Sequence, residues 1–159
     1  MSTSHFSDLL HLFESLNVRY LIVGGHAVMT YTEPRFTKDL DIWVDRGAEN
    51  ATRVFAALAR FGSPLAGSTA GDFAIPEMVF QIGVAPVRID IITSLLGIEF
   101  VDAWLRRERR LFLGAEAWFI GVEDLLRNKM AVGRPMDLID ADELRLAARL
   151  RATLPPEGE

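Results

Sequence analysis

The feature that constrains this chain most is a short β-prone run that stops at two glycines, opens into helical sequence and is followed by a spaced pair of carboxylates. Val18 to Val23 is rich in β-branched and aromatic residues, Gly24-Gly25 ends it, and His26 to Tyr31 has helical character. Strand, glycine turn and helix in that order leave backbone N–H groups exposed at the helix start, where the helix dipole favours an anion such as phosphate. Pro34 ends the helix. After Arg35-Phe36-Thr37-Lys38, the segment Asp39-Leu40-Asp41-Ile42-Trp43-Val44 alternates polar with apolar at its start and is expected to form a second strand.

Successive strand side chains point to opposite faces, so Asp39 and Asp41 share one face and Leu40 and Ile42 the other. Residues two apart on a strand are ~6.5 to 7 Å from each other, near enough for their oxygens to converge on one hard cation or to bridge two held ~3.5 to 4 Å apart. The repulsion between such anions needs compensation, and Mg²⁺ supplies it while sharing oxygen ligands with phosphates. A third acid, Asp90, interrupts the apolar run Val87-Arg88-Ile89-Asp90-Ile91-Ile92. Arg88 lies two positions away on the same face, so Asp90 is either a third ligand or a partner of that arginine in a mixed charge network.

The remaining pattern places an amphipathic helix over Phe6 to Leu16, a helix over Glu49 to Phe61, and a mobile Gly/Ser/Ala-rich loop from Gly62 to Gly71. Strands are expected at Glu77 to Ile82 and Val87 to Thr93, joined as a hairpin. Glu99 to Arg109 reads as a helix whose basic end (Arg106, Arg107, Arg109, Arg110) complements its dipole, and Trp118 to Ile120 as a late edge strand. Two helices, Val122 to Val132 and Met136 to Leu150, close a single domain over residues 1–151, and residues 152–159 form a flexible tail. The expected class is α/β (α+β): a mixed sheet of about five strands with helices mainly on one face. Trp43, Trp104 and Trp118 fall in apolar patterns and are expected in the core or an interface; His26, just past the glycine turn, reads as a local hydrogen-bonder.

Bulk properties narrow the function. With 17 Lys and Arg against 22 Asp and Glu, a broad electrostatic grip on a polyanion is disfavoured, so any nucleic acid would bind locally. The absence of cysteine excludes thiolate metal sites and thiol catalysis. No apolar stretch approaches the ~20 residues of a membrane span, which points to the cytoplasm and away from membrane partners.

At these residues the chain resembles the DNA polymerase β-like nucleotidyltransferase superfamily: Val23-Gly24-Gly25, then Asp39-Leu40-Asp41-Ile42. The stretch YLIVGGHAVMTYTEPRFTKDLDIWV is most similar to small bacterial nucleotidyltransferases related to abortive-infection toxins, and VEDLLRNKMAVGRPMDLIDADEL resembles that group's closing helices. The resemblance implies a nucleotidyltransferase fold, Mg²⁺ or Mn²⁺, and a nucleoside triphosphate as substrate. It implies that Gly24 and Gly25 contact the triphosphate, that Asp39 and Asp41 hold the metals, and that Asp90 helps activate the attacking hydroxyl. Lys129 would reach a phosphate, Asp137 matches a further acid of the toxin-like group, and Arg134 would brace it or touch phosphate. Arg35 and Lys38 flank the paired acids and would neutralise triphosphate charge. The acceptor would be a tRNA 3′ end, a protein hydroxyl or a small molecule such as an aminoglycoside, with a cognate toxin or antitoxin as a further partner. The alternative is a non-catalytic nucleotide-binding or antitoxin-like protein of the same fold. Two departures stand out: Gly25 replaces the Ser of many active members, and the chain has only its two closing helices where larger members carry a helical domain.

Overall fold

The computed structural model describes residues 4–37, 39–84 and 87–154. α1 (Ser4–Ser15) buries Phe6, Leu9, Leu10 and Phe13, which recur at three- and four-residue steps on one side of the helix. In β1 (Tyr20–Val23) every side chain is buried, as befits a strand covered on both faces. α2 (Gly24–Tyr31) starts on the residue after that strand, and β2 (Asp39–Val44) returns antiparallel to β1. Then come α3 (Ala48–Phe61), a 3-10 turn (Ala70–Ala74), β3 (Val79–Val84), β4 (Val87–Ile92), α4 (Phe100–Leu105), β5 (Glu108–Phe112), β6 (Ala115–Phe119), α5 (Val122–Val132) and α6 (Pro135–Thr153).

Among the described residues these strands form one sheet in the order β3-β4-β2-β1-β6-β5. The β2–β4 and β1–β6 pairs are parallel and the others antiparallel. Six strands, not five, follow from two corrections. The segment expected as one helix from Glu99 to Arg109 is a short helix, α4, followed by β5; and the strand expected at the sheet edge near Trp118 is β6, which lies between β1 and β5. The cause is a two-residue hairpin turn at Leu113-Gly114, both at positive φ, which pairs Phe112 with Ala115. The basic residues there serve a strand rather than a helix end: Arg109 pairs with Glu14 and Arg110 bonds to Thr30. The loop expected up to Gly71 ends in the 3-10 turn, where Thr69 N–H donates to Asp72 and Phe73 is buried. α6 runs to Thr153, and most of the stretch expected as a tail, residues 155–159, lies outside the described residues.

Helices stand against both faces rather than mainly one. Tyr20 pairs in register with Val44 and its ring lies 5.7 Å from Phe13 of α1, so α1 covers the face that carries Leu40, Ile42 and Val44. Trp43, on the opposite face with Asp39 and Asp41, meets Phe100 of α4 at 5.0 Å. That second face holds the candidate site. Among the described residues no helix is long and apolar enough to cross a membrane.

Candidate active site

Gly24 takes a φ of +68°, a left-handed conformation that favours glycine, and a Cβ placed on it would lie 2.2 Å from Oδ2 of Asp41. The glycine turn and the carboxylate pair are therefore in direct apposition. The residue before the helix, Val23, gives α2 no side-chain cap, so the N–H groups of its first turn are left to other acceptors.

The parallel β2–β4 register sets Asp39 opposite Arg88 and Asp41 opposite Asp90. Three carboxylates from two strands thus share one patch of the sheet with a single guanidinium. Arg88 Nη2 donates to Asp39 Oδ2 and Asp90 Oδ2, each at 3.1 Å. Its Nε comes within 2.9 Å of Asp90 Oδ1 as an ion pair, but not in line for a hydrogen bond, so both buried atoms lack a hydrogen-bond partner. Asp90 is 8% exposed. Of the two roles left open for this acid, the arginine partnership is seen directly.

Asp41 forms no ion pair or hydrogen bond among the described residues. Burial raises its carboxyl to about 7, the neighbouring charges of Asp90 and Asp39 push the same way, and Arg88 and Lys129 oppose them. No group of three acidic, cysteine or histidine side chains among the described residues is already arranged as a cation cage. The donor chemistry nonetheless fits a hard divalent ion: carboxylate oxygens in excess of local cations, one buried Asp90 oxygen without a hydrogen-bond partner, and an unpaired Asp41.

A second charged cluster joins α5, α6 and the α2–β2 loop. The Lys129 ammonium lies 3.2 Å from both Asp137 and Asp140, Arg35 forks onto Asp140, and Arg134 Nε donates to Asp137 at 2.7 Å. Asp137 also accepts the Arg134 backbone N–H at the start of α6, capping that helix. Arg134, then Lys129, hold the Asp137 carboxyl below its ordinary range. The structure thus brings Lys129, Arg134, Asp137 and Arg35 together, with Lys129 close enough for Asp41 to feel its charge. Lys38 lies outside the described residues.

Sequence reasoning missed Asp140, which is 1% exposed and ties Arg35 to Lys129; its spacing of three from Asp137 on one helix was the available signal. It also missed Thr37, whose Oγ1 stands 2.7 Å from where a Gly25 Cβ would be. His26 is half-buried and packed edge-on against Phe6 and Phe112, burial lowers its pKa, and its Nε2 has no hydrogen-bond partner among the described residues, so ring packing rather than the expected local hydrogen bond holds it. Trp104 and Trp118 clasp the Arg107 guanidinium at 3.9 and 4.3 Å, and Trp43 is buried, in keeping with core roles.

Residues 4–154 match the family model described as nucleotidyltransferase of unknown function (DUF6036). The chain belongs to this nucleotidyltransferase family. No curated protein matches it. Solved structures of similar fold include the lincosamide antibiotic adenylyltransferase LnuA with lincomycin bound, at 18% identity and a TM-score of 0.59 over 91% of this nucleotidyltransferase and 97% of that chain. Another is ANT(2″)-Ia in complex with adenylyl-2″-tobramycin, at 15% identity and a TM-score of 0.59 over 94% and 90% of the two chains. A third, an antigenic nucleotidyltransferase-like protein from Paracoccidioides brasiliensis, shares 18% identity with a TM-score of 0.52 over 92% and 75%. The family match carries the nucleotidyltransferase assignment, the solved structures show the fold alone, and neither singles out the toxin-like branch.

Proposed function

We propose that this nucleotidyltransferase transfers an NMP group from a nucleoside triphosphate to a hydroxyl of a small-molecule acceptor, in a reaction that depends on a divalent cation. The observation that carries this is the carboxylate excess of Asp39, Asp41 and Asp90 set directly against the Gly24-Gly25 turn. In this scheme the first-turn N–H groups of α2 receive the phosphates. Asp39 and Asp41 hold Mg²⁺ or Mn²⁺, which when bound neutralises phosphate oxygens and favours ionisation of the attacking hydroxyl. Asp90 takes the proton of that hydroxyl, whose oxygen forms the new bond to the α-phosphorus as the bond to pyrophosphate breaks. Arg35, Lys129, Arg134 and Asp137 brace the wall beside the phosphates, and Lys38 adds positive charge next to Asp39.

A small acceptor is supported by a cavity of about 760 Å³, within the usual range of ligand pockets, lined by Trp43, Met78, Val79, Ile92, Leu96 and Phe100 among others. Trp43 and Ile92 are the next pair along the same strands and face after Asp41 and Asp90, so the cavity floor continues the acid patch. One fold neighbour is an adenylyltransferase with lincomycin bound and another was captured with adenylyl-2″-tobramycin, which agrees with an antibiotic-sized acceptor.

The test is calorimetric titration with ATP, CTP, GTP and UTP, with and without Mg²⁺, beside the double variant Asp39→Asn, Asp41→Asn. Mg²⁺-dependent binding lost in the variant is expected, and absence of binding to every triphosphate would overturn the proposal. One observation favours a second reading: Arg88 already pairs with Asp39 and Asp90. A chain that uses Arg88 as a permanent counter-charge would bind nucleotide as a non-catalytic or antitoxin-like partner protein. Triphosphate binding with no pyrophosphate release across small-molecule, tRNA and protein acceptors would select it.

A further inference from the structure

We infer that α6 is the contact through which two copies of this chain pair, helix against helix in antiparallel order about a two-fold axis, an assembly that does not depend on the nucleotide reading. One face of α6 is packed within the fold, where Asp137, Asp140, Ala141 and Leu144 are buried. A second carries Met136, Ile139, Leu146, Leu150 and Leu154, each 53–67% exposed. Steps of three and four residues from Met136 reach Ile139, Glu143, Leu146 and Leu150, the spacing of a helix–helix seam with Glu143 as its one polar break. A surface helix needs a single apolar stripe toward its own core, so a further stripe on the outer side calls for a second cover.

Charge selects the occupant and its direction. The outward charges of the helix are divided by sign along its length: Asp142 and Glu143 precede Leu144, and Arg145 and Arg149 follow it, while Arg151 is bonded to Glu108. Glu143 and Arg149 have no ion-pair partner among the described residues, and Asp142 meets Arg145 of its own helix at 3.0 Å. A second copy laid antiparallel sets Ile139 opposite Leu150, Glu143 opposite Leu146, and Asp142 of each copy beside Arg149 of the other. Glu143 then lies next to the axis, where a polar seam residue fixes register at some cost in affinity. Parallel pairing would bring acids level with acids and bases level with bases, which is repulsive. At on the order of 100 Å² for each of the five apolar side chains, two copies remove roughly 1,000 Å² from water, the lower bound for a specific interface, so the dimer is weak and concentration-dependent. Because both copies use the same patch, the contact closes at two.

The experiment is sedimentation velocity on the full chain from about 1 to 200 μM in the absence of nucleotide. A shift from monomer to dimer is expected across this range. The double variant Leu146→Glu, Leu150→Glu should abolish the shift while melting near the wild-type temperature, since both side chains are exposed. A charge exchange gives a second readout. Asp142→Arg and Arg149→Glu should each weaken dimerisation about tenfold alone, and an equimolar mixture of the two single variants should pair with near wild-type affinity. Orientation is read by cross-linking, because the chain has no cysteine of its own. Leu146→Cys, next to the axis, should give a disulfide-linked dimer on oxidation, whereas Leu154→Cys, roughly 28 Å from its counterpart along the helices, should not. If the glutamate variant melts early, the charge mixture and the cross-links carry the comparison. A wild type that stays monomeric throughout, a glutamate variant that dimerises as well as the wild type, a mixture that pairs no better than its components, or Leu154→Cys that cross-links as readily as Leu146→Cys overturns the inference.

Discussion

Two clusters of charge lie close together in this protein and are built on opposite principles. Around Lys129, three cations (Lys129, Arg35, Arg134) enclose two carboxylates (Asp137, Asp140), and each charge meets a partner of opposite sign. On the sheet, among the described residues, three carboxylates (Asp39, Asp41, Asp90) share one guanidinium, and Asp41 is left unpaired with its pKa driven up to about 7. A cluster in which each buried carboxylate is met by two cations has its acids fully matched and acts as a fastener. A cluster that keeps a surplus of closely set carboxylates stores repulsion that a cation relieves. The difference separates framework from site more clearly than burial or residue type does, since aspartates dominate both.

The comparison can be broken most forcefully at the acids themselves. The double variant Asp39→Asn, Asp41→Asn should lose Mg²⁺-dependent triphosphate binding by about a hundredfold or more while staying folded, as read by calorimetry and melting. Next is the fastener. Asp140→Ala leaves Lys129 and Arg35 short of a buried partner and should cost about 3 kcal/mol of unfolding free energy in denaturant titrations; a loss near zero would mean that the second cluster is no fastener.

A smaller effect of opposite sign is expected at Asp41. Its pKa is raised from the ordinary 3.8 to about 7, so the folded state binds that proton more tightly than the unfolded chain. The stability it contributes in metal-free buffer is complete below about pH 4 and is lost as pH rises through 7. Asp41→Asn should therefore stabilise the protein at pH 8 by on the order of 2 kcal/mol and leave it little changed at pH 4. The smallest change concerns Arg88. If it is a stand-in cation, Arg88→Gln should tighten Mg²⁺–ATP binding about threefold at low salt, whereas weaker binding would make the arginine part of the nucleotide site.

Most of the acid patch was legible in the sequence because strand alternation is a local rule. Asp39 with Asp41, and Asp90 with Arg88, share a face by period two alone, and the glycine turn is read from composition. That β2 and β4 pair in parallel, which places Asp41 beside Asp90, is a tertiary fact with no local signal. The same holds for Lys129, expected at a phosphate and found between Asp137 and Asp140, and for Thr37, which stands against Gly25 across the loop. The β5–β6 hairpin was hidden for another reason. An arginine-rich run looks like a helix end, and the Leu113-Gly114 turn reaches its left-handed geometry through a leucine that turn composition does not flag.

The contact between Gly24 and Asp41 has a consequence for genetics. At the acids of the patch, removing a function takes the loss of a charged group, and the altered side chain then confuses chemistry with folding. At Gly24 the addition of one methyl group would drive into the Asp41 carboxylate while also straining the turn. Gly24→Ala therefore offers a null allele that leaves the protein's net charge unchanged and strikes both halves of the site through its smallest residue.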